Sequence, residues 1–211
     1  MDLDSDEIEE RISFANDIDS VYLWLFLLID ASIKAGEEID IPFFKDMLQR
    51  FYGEILSAHG INTDNPYIND YVDYISDSVL QTTNERITED YYLSNERARE
   101  IAVNDANAIN NFRRHLEAIR EGKTYKVWIT SKDNLVRKTH KKAHWQKVEI
   151  QEPFIVGESE LMFPLDYSLD PHPKECINWK WAFLPDEYKP LIVLLSVGSS
   201  LSSFCTIVLL S

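Results

Sequence analysis

A chain of 211 residues with 45% hydrophobic and 12% aromatic side chains can bury one good core, or one core plus a helical appendage, and does not have the composition of a disordered polymer. Its net charge of −15 excludes a general nucleic-acid coat, because most of the surface repels phosphate. Two cysteines, Cys176 and Cys205, exclude a disulfide framework and are compatible with a reducing compartment.

The average charge conceals an asymmetry. Residues 1–100 hold 23 acids and 7 bases, residues 101–150 hold 5 acids and 11 bases, and residues 151–211 hold 8 acids and 3 bases. The opening MDLDSDEIEE lacks the positive flank of a secretory signal, so none is read there. A helix is expected from near Ser5, where acids suit the first turn. Within it VYLWLFLLI (Val21–Ile29) is too short to span a bilayer and fits a buried helix. Pro42 marks the start of another, with Phe43, Phe44, Met47, Leu48, Phe51, Ile55 and Leu56 at three-to-four spacing. The loop His59–Pro66 ends it, and a further helix carries Tyr67, Tyr71, Tyr74 and Ile75 along one side. These aromatic stripes read as core or partner-docking surface.

The clearest helix covers residues 95–121, between an N-cap at Ser94 and a stop at Gly122. Its apolar line is Ala98, Ile101, Ala102, Ile109, Phe112, Leu116 and Ile119, and Asp105 falls on the same line. An acid on a core-facing side needs a partner, because burying it alone is costly. After Gly122 the period becomes that of a strand: Tyr125, Val127 and Ile129 alternate with Lys126, Trp128 and Thr130. DNLVRKTHKKAH (Asp133–His144) is expected to form a turn and a short helix, and WQKVEI (Trp145–Ile150) a returning strand. Five residues, Pro153, Gly157, Pro164, Pro171 and Pro173, then cut the chain into short strands and loops. Past Lys189 there is no charge, and Leu191–Ser211 reads either as a membrane anchor or as a β-hairpin turning at Gly198.

The order ERAREIAVND, YKVWITSKDNLVRKTHKKAHWQKV, EPFIVG, P-x-D and PKECINWKWAFLP resembles the phage head-morphogenesis domain, the minor head protein family named after the F protein of phage Mu. That family's pattern is a helix with I-A-x-T-E, then W-x-T-x-x-D-x-x-V-R-x-x-H, a phenylalanine-glycine segment and a closing I-N-C-R-C. Matched position by position, the helix acid falls on Asp105 and the tryptophan on Trp128. The D-x-x-V-R-x-x-H set falls on Asp133, Val136, Arg137 and His140, and the asparagine on Asn178. Trp179 and Trp181 stand where the family has cysteines, so no thiolate metal or redox role carries over. The resemblance covers about residues 91–185. It implies a few-copy, non-enzymatic virion or procapsid component, in the virion or in the host cytoplasm during assembly. Such a protein contacts the portal or the scaffold and capsid proteins and assists head assembly and DNA packaging or delivery.

The residues themselves suggest an α+β chain in three parts. Residues 1–90 form an acidic, helical, partner-docking region, residues 91–187 a small mixed α+β domain with short antiparallel strands, and residues 188–211 an uncharged tail. Neither a cofactor nor a metal site is expected. His140 and His144 share a helical face, but a metal needs three or four ligands. Asp105, Asp133, Arg137, His140 and Asn178 are expected to form a structural polar cluster in which Arg137 or His140 pairs with Asp105. Arg113, Arg114, Lys138, Lys141, Lys142 and Lys147 form a basic rim able to touch DNA phosphates without reading sequence. Two alternatives remain: a nuclease or toxin-like enzyme using Arg137 and His140, and a membrane-associated protein held by residues 191–211.

Overall fold

Four long helices begin the chain in the computed structural model, which describes residues 5–130, 136–176 and 205–210. They are α1 (Ser5–Ala35), α2 (Ile41–Ala58), α3 (Pro66–Glu85) and, after a 3-10 turn at Asp90–Leu93, α4 (Asn95–Arg120). The remainder is β1 (Tyr125–Thr130), α5 (Lys138–Ala143), β2 (Lys147–Glu149), β3 (Phe154–Val156), β4 (Ser159–Leu161), a 3-10 turn at Pro173–Glu175 and β5 (Cys205–Leu210). The chain is α+β. It divides into two compact units, Ser13–Ala106 and residues 107–211 with the first twelve residues. The boundary expected at residue 90 therefore moves to the middle of α4, because the first half of that helix belongs with α1, α2 and α3.

Local signals fix the helix ends of the first unit. Asp40 caps α2 by accepting the Phe43 N–H at 3.0 Å, with Pro42 in the first turn. Asn65 caps α3 by accepting from Tyr67 N at 3.0 Å, and Pro66 begins that helix. Ser94 Oγ accepts from Arg97 N at 3.1 Å and caps α4, whose end is turned by Gly122 at φ +72°. Phe14, Ile18, Tyr22, Leu25, Phe26 and Ile29 form the buried stripe of α1. Among the described residues only Ile12–Ala35 is long and apolar enough to cross a membrane by length and composition. Trp24 and Leu27 on that stretch are exposed, as is Phe43 on α2.

In the second unit β1 is the central strand of a three-stranded antiparallel sheet, in the order β2-β1-β5. Tyr125 pairs with Glu149 on one side and Leu210 on the other. The expected alternation along β1 is absent: residues 126–130 are all buried, because a central strand covered on both faces has no solvent side. The expected strand at 145–150 shrinks to β2, since Trp145 takes φ +68°. That conformation costs a bulky residue about 1–3 kcal/mol. Two backbone bonds hold it there, Trp145 N to Trp128 O at 2.8 Å and Gln146 N to Ala143 O at 2.8 Å. The end of the uncharged tail is strand β5, while residues 177–204 lie outside the described residues.

β3 and β4 make a hairpin pairing Phe154 with Leu161 and Val156 with Ser159. Its two-residue turn opens on Gly157 at φ +67°, and a Cβ there would lie 3.0 Å from both Glu175 Oε1 and Thr139 Cγ2. Conformation and space therefore both demand glycine. Gly157→Ala is expected to destabilise the second unit by about 1–3 kcal/mol, read as a lower denaturation midpoint; an unchanged midpoint would contradict this packing.

Candidate functional site

The first site is built in the helical unit around Asp105, on α4 and 1% exposed. Its Oδ2 accepts from Tyr22 on α1 at 2.7 Å and from Tyr52 on α2, and its Oδ1 accepts from Tyr71 on α3 at 2.7 Å. The Tyr22 and Tyr52 hydroxyls are themselves 3.4 Å apart. Hydrogen bonds to a charged group contribute about 1.5–3 kcal/mol each, which offsets part of the cost of removing a carboxylate from water. The offset is incomplete. Burial raises the Asp105 pKa to about 6, against the opposing pull of the three hydroxyls. Burial and the Asp105 charge raise the Tyr22 and Tyr52 hydroxyls well above their ordinary value. These tyrosines are thus hydrogen-bond donors and not proton sources near neutrality.

This arrangement corrects the expected clamp. Both Asp105 oxygens are engaged by tyrosine hydroxyls, and neither Arg137 nor His140 is their partner. The buried cation described in the same unit is Arg97, which donates to Thr83 Oγ1 at 2.7 Å and the Tyr92 carbonyl at 2.6 Å and lies over the Phe26 and Tyr92 rings. Asp133 and Asn178 lie outside the described residues.

The second site lies in the unit that follows. His140 on α5 is 1% exposed, and its Nε2 stands 2.8 Å from Glu175 Oε2, which also accepts from Thr139 Oγ1 at 2.8 Å. The His140 ring packs 5.9 Å from that of Trp128. Burial lowers the His140 pKa, outweighing the attraction of Glu175, and the Arg137 charge adds to the lowering. A neutral ring donating to a carboxylate is a brace between α5 and the turn that ends at Glu175. Next to it, burial raises the Cys176 thiol to about 12, so its sulfur is an inert part of the core. The core also contains Lys126, fully buried, whose Nζ donates to the Met162 carbonyl at 2.9 Å and sits 5.2 Å from the centre of the Phe154 ring. Burial lowers Lys126 to about 8 and, with the Lys126 charge, lowers His115 to about 4.

The basic rim separates into groups. Lys138, Lys141 and Lys142 are exposed on α5, while Lys147 on β2 is exposed with its Nζ 4.0 Å from the centre of the Tyr125 ring. Arg113 is 3.8 Å from Glu10 and Arg114 is half-buried. His144 accepts from Thr130 N through Nδ1 at 2.9 Å and anchors the end of α5 to β1. Among the described residues no group of three or more histidines, cysteines, aspartates and glutamates is placed to hold a metal ion. Sequence reasoning missed the three tyrosines, Glu175 and Lys126. The only signal for the tyrosines was that Asp105 needed donors in a region with few cations. Compared with family models, curated proteins and solved structures, the chain matches none of them.

Because folding raises the Asp105 pKa, the folded state holds this proton more tightly than the unfolded chain does. Stability from this group is full below pH 4 and is lost as pH rises through about 6. The difference corresponds to about 3 kcal/mol. Asp105→Asn is expected to flatten the pH dependence of the unfolding midpoint between pH 4 and 7 relative to the parent chain; parallel profiles would refute the buried carboxylate. His140→Ala, which removes one hydrogen bond to the buried Glu175 carboxylate, is expected to cost about 1.5–3 kcal/mol. Thr139→Val removes one hydroxyl bond and is expected to cost about 1 kcal/mol, both read by urea denaturation.

Proposed function

We propose that the chain is a minor head protein of a tailed phage. In this reading it is a non-enzymatic part of the virion or procapsid that works by contact with portal, scaffold or capsid protein and assists head assembly and DNA packaging or delivery. The observation that carries the reading is that four of the segments bearing the resemblance pack on one another, while ERAREIAVND lies in the helical unit. YKVWIT, KTHKKAH, EPFIVG and PKEC supply Trp128, Ala143, Phe154, Val156 and Cys176 of one apolar cluster, with His140 against Trp128.

The enzyme alternative loses support on the same residues. His140 is buried and bonded to Glu175, which suits a brace and not a base with access to substrate. The helical unit favours docking instead: residues 13–106 carry 18 acids and 6 bases, and Trp24, Leu27, Phe43 and Tyr74 are exposed there. Head particles purified from lysates are expected to contain the chain at a few copies each, and deleting its gene is expected to lower the yield of DNA-filled heads. A chain confined to the particle-free fraction, with head yield unchanged on deletion, overturns the assignment.

A further inference from the structure

We propose that α5 and the residues after it form a binding site for single-stranded nucleic acid, with Trp145 stacking on a base and Lys138, Lys141 and Lys142 neutralising phosphates. The site does not depend on the head-assembly reading, and either can stand without the other. Lys138, Lys141 and Lys142 fall at i, i+3 and i+4 of one short helix and are exposed. None of them forms an ion pair among the described residues, and no acid occurs from Asn134 to Val148. The acid packed against α5, Glu175, is buried on Thr139 and His140, which leaves the three exposed lysines as a basic surface able to attract a polyanion.

The indole supplies the second half of the argument. Trp145 is 48% exposed, in a unit whose other described tryptophan, Trp128, is fully buried. Its backbone is held at φ +68° by bonds to Trp128 O and between Gln146 N and Ala143 O, so the ring is carried on a fixed support. Gln146 ties the support to β3 by accepting from Ile155 N at 2.8 Å. The ring meets that of His144 edge-on at 5.1 Å, and a half-exposed planar ring following a helix of exposed cations suits unstacked bases, whose faces are available, better than a duplex, whose faces are covered. The chain's overall charge does not forbid this, because acids more than about 8 Å away are screened at physiological salt.

Fluorescence anisotropy of a labelled oligo-dT with the full chain, from 50 to 300 mM salt, tests the site. Neutralisation by three lysines predicts a slope of log K against log salt of about −2. Trp145→Gly removes the ring yet suits the positive φ, so the variant is expected to stay folded, checked by circular dichroism, while binding roughly ten-fold more weakly. The Lys138→Glu, Lys141→Glu, Lys142→Glu triple variant, altered only at exposed positions, is expected to abolish binding. Absence of oligo-dT binding at 50 mM salt overturns the proposal. So does equal binding by the parent and Trp145→Gly, or a triple variant that changes only self-association in sedimentation.

Discussion

A carboxylate buried among three tyrosine hydroxyls organises the helical unit. Each of α1, α2 and α3 contributes one phenol, and α4 contributes the acid. Stranding Asp105 without them would leave an unsatisfied charge in an apolar interior, an error costing several kcal/mol. The constraint is geometric as much as energetic. Sliding any one of the three helices by a single residue rotates its tyrosine by about 100° and withdraws a donor, so only one mutual register satisfies both oxygens. Apolar stripes such as Phe14, Ile18, Leu25 and Ile29 supply most of the burial, but they tolerate sliding far better than a hydrogen-bonded acid does.

The second unit solves the same problem with different chemistry. Its sheet is narrow, and its central strand carries a lysine into the core. Lys126 reaches a backbone carbonyl and an aromatic face. His140 and Glu175 tie α5 to a turn 35 residues further along the chain, with Gly157 leaving room for the carboxylate. The buried polar groups here act as internal ties, and the exposed cations left over include the three lysines of α5.

Much of the architecture was legible in the sequence because helix ends are local. Ser94, Gly122, Pro42 and the acids near Ser5 are signals confined to a turn or two, and the elements they bound are present. Asp105 was recognisable as an acid needing a partner for the same reason, since helical periodicity fixes the face a residue occupies. Periodicity says nothing about which helix lies opposite. An arginine is the partner general chemistry suggests for a buried carboxylate, yet Tyr22 and Tyr71 belong to stretches that read simply as core or docking surface, and Tyr52 lies off the apolar line read for α2. Similarly, β1 looked amphipathic because Lys126 and Thr130 are polar, and only the covering of both sheet faces explains why they are buried. Glu175 carried no signal at all, being one acid in a proline-rich loop whose role depends on a contact with α5.

Charge is distributed unevenly for a reason that burial alone does not supply. The helical unit has acids far in excess of its cations, and the few cations it has are engaged: Lys45 with Asp73 and Asp77, Arg86 with Glu89, Arg99 with Asp19. The stretch around α5 is the reverse, with exposed lysines that no described acid neutralises. Exposed ion pairs contribute at most about 1 kcal/mol, so stability exerts little pressure either to create such a surface or to remove it. A surface that is neither needed for folding nor neutralised by it is better explained by what it meets from outside. Because its charges are solvated, the oligonucleotide contact proposed there would be salt-dependent and reversible.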